Sequence, residues 1–192
     1  MNDIMGIDLS LRSTGISFNE QFELIQIEKL NDEKLINEIT QQICQIIKKY
    51  NPSIINLEGL SFNSISGSKD IISGLFWNLR CRIHIEFPNI LINIIPVTEW
   101  RSPLFSKEDN KALREGKKLL KSNKKSLKGL KGQERKEVQE FNHNLELKAN
   151  IKQYTFDKLP EHIKQKIINI TDGKGCYDLS DAYFISQYGR FK

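Results

Sequence analysis

The feature that most constrains the fold is the order of elements in the first 97 residues. Two apolar segments, "DIMGIDL" (3–9) and "STGISF" (13–18), are joined by a turn too short to hold a helix, so they pair antiparallel. "FELIQIEKL" (22–30) alternates Phe22 and Leu24 with polar residues and reads as a third strand. Residues 31–50 then place Leu35, Ile36, Ile39, Ile43, Ile46 and Ile47 at helical spacing, with Asn31 or Asp32 available as a cap. "SIINLEG" (53–59) is apolar on both faces until Glu58, as a central parallel strand is. A polar loop (61–70), a second helix (70–87) and a strand (89–97) follow. The order β-β-β-α-β-α-β predicts an α/β fold: a mixed five-stranded sheet flanked by helices.

Beyond residue 97 the pattern changes. "TEWRSPLF" (98–105) reads as a short turn or helix, and helical pieces follow over 107–121. A Lys/Gly/Ser-rich break (121–132) precedes a long helical stretch from Gln133, interrupted by Pro160. A loop (170–178) leads to a terminal helix (178–189) whose core face is Leu179, Ala182, Tyr183, Ile185 and Ser186. Residues 107–136 hold twelve basic residues against four acidic ones. The chain's net charge is +5, so that segment carries +8 and the remainder −3. We expect one domain over 1–192 with a basic insertion, 106–145, inside it. Such a segment suits a polyanion, nucleic acid above all, while a solvated charged loop is the plainer reading.

Composition narrows the chemistry. Cys44, Cys81 and Cys176, with His84, His143 and His162, are too scattered for a disulfide framework or a zinc site. No apolar run is long enough to cross a bilayer, and the N-terminal residues do not read as a secretory signal, so the expectation is a cytoplasmic protein with no membrane partner. The chemistry-bearing residues are acids. Asp8 ends the first strand, Glu58 ends the fourth, and Asp178 and Asp181 open the last helix. Singly they have ordinary readings: Asp8 as a turn residue, Asp178 as a helix cap, Asp181 as a first-turn acid. Together they are carboxylates that repel one another unless a cation sits between them. An all-oxygen set suits Mg²⁺, with Mn²⁺ as a substitute.

"GIDLSLRSTGIS" resembles the first strand-turn-strand of the RuvC-like Holliday-junction resolvases, within the ribonuclease H-like superfamily. "INLEGLSF" resembles that family's fourth strand, and "DLSDAYFISQYG" its closing Asp-x-x-Asp-Ala helix. The resemblance covers 3–100 and 145–189. It implies a ribonuclease H-like sheet and an endonuclease that resolves four-way DNA junctions by symmetric paired nicks, leaving 5′-phosphates. It implies Asp8, Glu58, Asp178 and Asp181 as ligands of two metal ions and catalytic residues, with no small-molecule cofactor. A homodimer is also implied, facing its partner through helix 70–87 with Phe76, Trp77 and Leu79. Phe62 stands near the position of an aromatic that wedges into the junction.

Arg12, in the first turn, and Lys117, Lys118, Lys124 and Lys125 are the candidate phosphate contacts. The basic segment is longer than the family's usual connection. The abundance of Ile, Asn and Lys resembles an AT-rich genome and suits a bacteriophage-encoded protein. Two other classes remain. One is a non-catalytic DNA-binding module on the same fold. The other is an actin-like or sugar-kinase-type ATPase, whose first phosphate loop has a similar setting but wants Gly where Ser10 stands.

Overall fold

The computed structural model describes residues 3–28, 30–60, 69–126, 138 and 150–189, with the backbone alone for 123–126. The strands are β1 (Ile4–Asp8), β2 (Ser13–Phe18), β3 (Gln21–Gln26), β4 (Ile54–Glu58) and β5 (Leu91–Ile95). They form one five-stranded sheet in the order β3-β2-β1-β4-β5. β1 to β3 are antiparallel neighbours, whereas β4 runs parallel to both β1 and β5. This is the mixed five-stranded sheet expected from the order of elements. β3 is shorter than the sequence reading, which carried it to residue 30. β2 begins at Ser13, which pairs with Gln26, so β3 has no partner strand beyond that point. β5 ends at Ile95 because Pro96 has no N–H to continue the ladder and instead heads the next helix.

The hairpins close by local chemistry. Thr14 Oγ1 donates to Ser10 O (2.8 Å) and accepts from Ser10 N (3.1 Å), tying the "SLRST" turn. Asn19 and Glu20 both take positive φ, the pattern of a type I′ two-residue turn between β2 and β3.

Two helices cover one face of the sheet, α1 (Asp32–Tyr50) and α2 (Lys69–Glu86). Asn31 caps α1 by accepting from Lys34 N, and Asn51 ends it in the left-handed region. Ile39, Ile43 and Ile47 form the buried stripe of α1, and Leu75, Phe76, Leu79 and Ile83 that of α2. They pack with Met5, Ile7, Ile55 and Leu57 from the central strands. Each such side chain contributes about 1.5–3 kcal/mol of burial.

The remaining α-helices among the described residues are α3 (Val97–Arg101), α4 (Lys107–Ser126), α5 (Ile151–Asp157), α6 (Glu161–Thr171) and α7 (Cys176–Gln187). α7 covers the other face of the sheet, against β1 and β2. The chain divides into two compact units, 1–102 with 159–192, and 103–158. The second unit contains α4 and α5. Its α4 opens on a reciprocal capping box, Ser106 N to Asp109 Oδ2 (2.9 Å) and Asp109 N to Ser106 Oγ (3.0 Å). Lys158 also pairs with Asp109 (2.9 Å), and Phe105 meets Tyr154 edge to face. Most of the expected insertion 106–145 beyond α4 lies outside the described residues. Among the described residues no helix is long and apolar enough to cross a membrane, and the three cysteines are free thiols.

Candidate functional site: an acidic edge under the last helix

Two glycines decide where the last helix rests on the sheet. A Cβ on Gly6 would lie 2.2 Å from Ala182 O and 2.4 Å from Ser186 N. A Cβ on Gly15 would lie 2.2 Å from Asp178 O. The backbone of α7 therefore rests directly on β1 and β2, at a distance no side chain would permit. Gly15 is the register partner of Asp8. The first turn of α7, with Asp178, thus sits over the residue that faces Asp8 across the hairpin.

Side-chain alternation brings Asp8 and Glu58 to the same face. Gly6 faces α7, so Asp8, two residues on, faces it too. On β4, Asn56 faces α7: its Nδ2 donates to Ile185 O (2.9 Å) and Tyr188 O (3.1 Å) at the helix's C-terminal end. Glu58, two residues on, follows. Ile7 pairs with Leu57 in the parallel ladder, so Asp8 and Glu58 are the next residues on neighbouring strands, about 4.8 Å apart in backbone spacing. Both lie at the carboxyl end of the sheet, where open α/β folds gather their sites.

α7 begins earlier than the sequence suggested. Gly175, at φ 77°, takes the N-cap position without a side-chain bond, and Cys176 and Tyr177 are already helical. Asp178 is therefore a first-turn residue and not the cap. Asp181 lies a turn deeper and is only 1% exposed. Its Oδ2 accepts from Arg101 of α3 at 2.9 Å. The neighbouring Trp100 donates its Nε1–H to Glu58 Oε2 at 3.0 Å. Trp100 and Arg101 were not foreseen from the sequence. The available signal was an aromatic and a cation in a short polar segment, "TEWRSPLF", directly after a sheet strand.

The donors Asp8, Glu58, Asp178 and Asp181 are all carboxylates, a chemistry that fits Mg²⁺ or Mn²⁺ and not zinc. As placed, no three His, Cys, Asp or Glu side chains among the described residues form a group able to hold a metal ion. A cation already stands against the most buried acid, and it is the Arg101 guanidinium. Away from this edge, burial and then Glu86 push the Cys44 thiol of α1 up to about 11.

The other expected residues are dispersed. Arg12 is exposed in the β1–β2 turn, and Lys117 and Lys118 are exposed on α4. Lys124 and Lys125 belong to the backbone of α4, with side chains outside the described part. Phe62 lies outside the described residues. Of the three residues expected at a subunit contact, Leu79 is wholly buried and Phe76 nearly so, both in the chain's own core. Trp77 is 57% exposed, with the Arg80 guanidinium 4.4 Å from its ring centre. It borders a pocket of about 490 Å³ beside the end of β4, formed with Gly59, Leu60, Phe76 and Pro96.

The sheet order, the helix on the acidic face and the carboxylates at the strand ends define an α/β domain built on a mixed five-stranded sheet. No protein-family model matches the sequence, and no curated protein does. Among solved structures the chain is similar to Thermus thermophilus RuvC in complex with a Holliday junction substrate (TM-score 0.44, 10% identity, 53% of this chain and 70% of that one). It is similar to a second Thermus thermophilus RuvC structure (TM-score 0.45, 11% identity, 55% and 73%). It is also similar to a Fowlpox virus resolvase in complex with Holliday junction DNA (TM-score 0.40, 14% identity, 96% and 93%).

Proposed function

We propose that the protein is a divalent-metal-dependent endonuclease that cuts branched DNA, resolving four-way junctions by symmetric paired nicks. The observation that supports this reading is the seating of α7 on Gly6 and Gly15, which sets the turn bearing Asp178 over the register partner of Asp8. Asp8, Glu58, Asp178 and Asp181 would hold two Mg²⁺ ions, or Mn²⁺ in their place. Ions bound there would supply an activated water and stabilise the leaving oxygen of a phosphodiester. The chain's own part is to fix the carboxylates on rigid strands and one helix, so that little reorganisation is left to the reaction. The motif resemblance of "GIDLSLRSTGIS", "INLEGLSF" and "DLSDAYFISQYG" supports the same reading.

Arg12 and the lysines of α4 are proposed phosphate contacts, and Phe62 a wedge at the junction centre. A homodimer is part of the proposal, with exposed Trp77 as the contact on α2. The test is a labelled four-way junction incubated with the protein, with and without Mg²⁺. Paired nicks at symmetric positions are expected. Asp8→Asn should lower their rate by about 10²–10³-fold or more without loss of junction binding. Tight binding with no Mg²⁺-dependent nicks would instead identify a DNA-binding module. Equal cutting of plain duplex would remove the junction from the proposal.

A further inference from the structure

We propose that Trp100 and Arg101 form a built-in counter-cation clamp: Arg101 neutralises Asp181 while the site lacks metal, and an arriving divalent cation displaces it. This rests on the metal-dependent reading above. It concerns how the acidic edge is held together and what metal binding must undo.

A carboxylate only 1% exposed is strongly destabilising without a cation beside it. Arg101 supplies that cation at 2.9 Å, with its own side chain 17% exposed. The arrangement reaches a second acid as well. The guanidinium carbon lies 4.4 Å from the centre of the Trp100 ring, and the same ring's N–H bonds Glu58 at 3.0 Å. One adjacent pair on a five-residue helix therefore reaches an acid of β4 and an acid of α7 together. The ring carries the guanidinium on its face while its edge holds the glutamate.

The pairing is also of a kind that can be displaced. Arginine binds a carboxylate most strongly as a fork, with two parallel N–H bonds. Here one terminal nitrogen bonds Asp181, while the buried Nε has no hydrogen-bond partner among the described residues. The guanidinium is thus less than fully satisfied where it sits. A divalent ion and the guanidinium seek the same carboxylate, so each must weaken the other's hold. Trp100 keeps a contact with Arg101 that does not depend on Asp181, so the side chain has a resting place when displaced.

The experiment is calorimetric titration of Mn²⁺ alone, without DNA, into the full chain, with thermal unfolding followed in parallel. Wild type, Arg101→Gln, Arg101→Lys and Asp8→Asn are compared. Arg101→Gln should bind Mn²⁺ about tenfold more tightly than wild type. It should melt lower without metal and gain more from metal. Arg101→Lys, whose compact ammonium cannot spread over the ring in the same way, should fall between them, and it decides the matter if the glutamine variant does not fold. A purely structural Arg101 would lower the melting temperature and leave the Mn²⁺ affinity unchanged. That result, or weaker binding, overturns the clamp but leaves the nuclease reading standing, provided wild-type binding is lost in Asp8→Asn. No Asp8-dependent binding in any variant overturns both.

Discussion

At the scale of single residues, the acids of this protein differ in what holds them. Asp181 is buried and has a guanidinium; Glu23, on the edge strand β3, has Lys49 at 2.7 Å and Tyr50 at 2.8 Å. Burial raises the pKa of Glu23, but its bonds to Lys49 and Tyr50 outweigh this and leave it below the ordinary carboxylate value of 4.5. The sign of the pH effect follows. A carboxylate with a depressed folded pKa contributes stability that is fully present above the unfolded value near 4.5 and lost as pH falls through the lower folded one. Glu23→Gln should therefore melt below wild type at pH 7, with the gap closing in acid, below the folded pKa. Melting curves of both proteins across that range check this. A gap that persists undiminished in acid would assign the effect to packing instead of charge.

At the scale of elements, the acidic edge exists because helix and sheet touch backbone to backbone. Adding a methyl at Gly15 would drive it against Asp178 O, and at Gly6 against Ala182 O, both at 2.2 Å. Neither neighbour is a side chain that can swing away, so α7 must lift. Overpacking of this kind costs about 1–3 kcal/mol. Gly6→Ala and Gly15→Ala should each lose at least that much in chemical denaturation. Gly15→Ala, which moves the turn bearing Asp178, should also weaken Mn²⁺ binding. A Gly15→Ala protein with wild-type stability would mean that α7 does not seat there. The element order was readable in the sequence because strands and helices announce themselves by period: Ile39, Ile43 and Ile47 repeat every four residues, and the first two strands are too close for a helix to intervene. The four acids stand out in the sequence as candidates because Asp8 and Glu58 end apolar strands and Asp178 and Asp181 lie where the last helix begins. The clamp was not, since the hydrogen bonds of Trp100 and Arg101 span 42 and 80 residues of chain. The start of α7 was missed because Gly175 caps it by backbone conformation alone, without the side-chain oxygen that marks most helix starts.

At the scale of the whole molecule, charge is divided as the sequence divides it. Residues 107–136 carry +8 and the rest of the chain −3. A body with negative net charge and an acidic edge offers DNA little long-range attraction, so under the proposed function the basic segment and local cations such as Arg12 are its source. Each phosphate that a lysine neutralises releases condensed counterions, and the salt dependence of binding counts them, about 0.9 per phosphate on duplex arms. Replacing Lys117, Lys118, Lys124 and Lys125 with Gln together should weaken junction binding and flatten the plot of log affinity against log salt by about one unit for every phosphate no longer neutralised. The four changes leave Asp8, Glu58, Asp178 and Asp181 untouched, so junction saturated at low salt should still be cut at close to the wild-type rate. The two measurements separate grip from chemistry. A slope unchanged in the quadruple variant would place these four lysines off the DNA and leave their charge as a solvated surface. A cutting rate that falls at saturation would give them a part in the chemistry beyond holding phosphate.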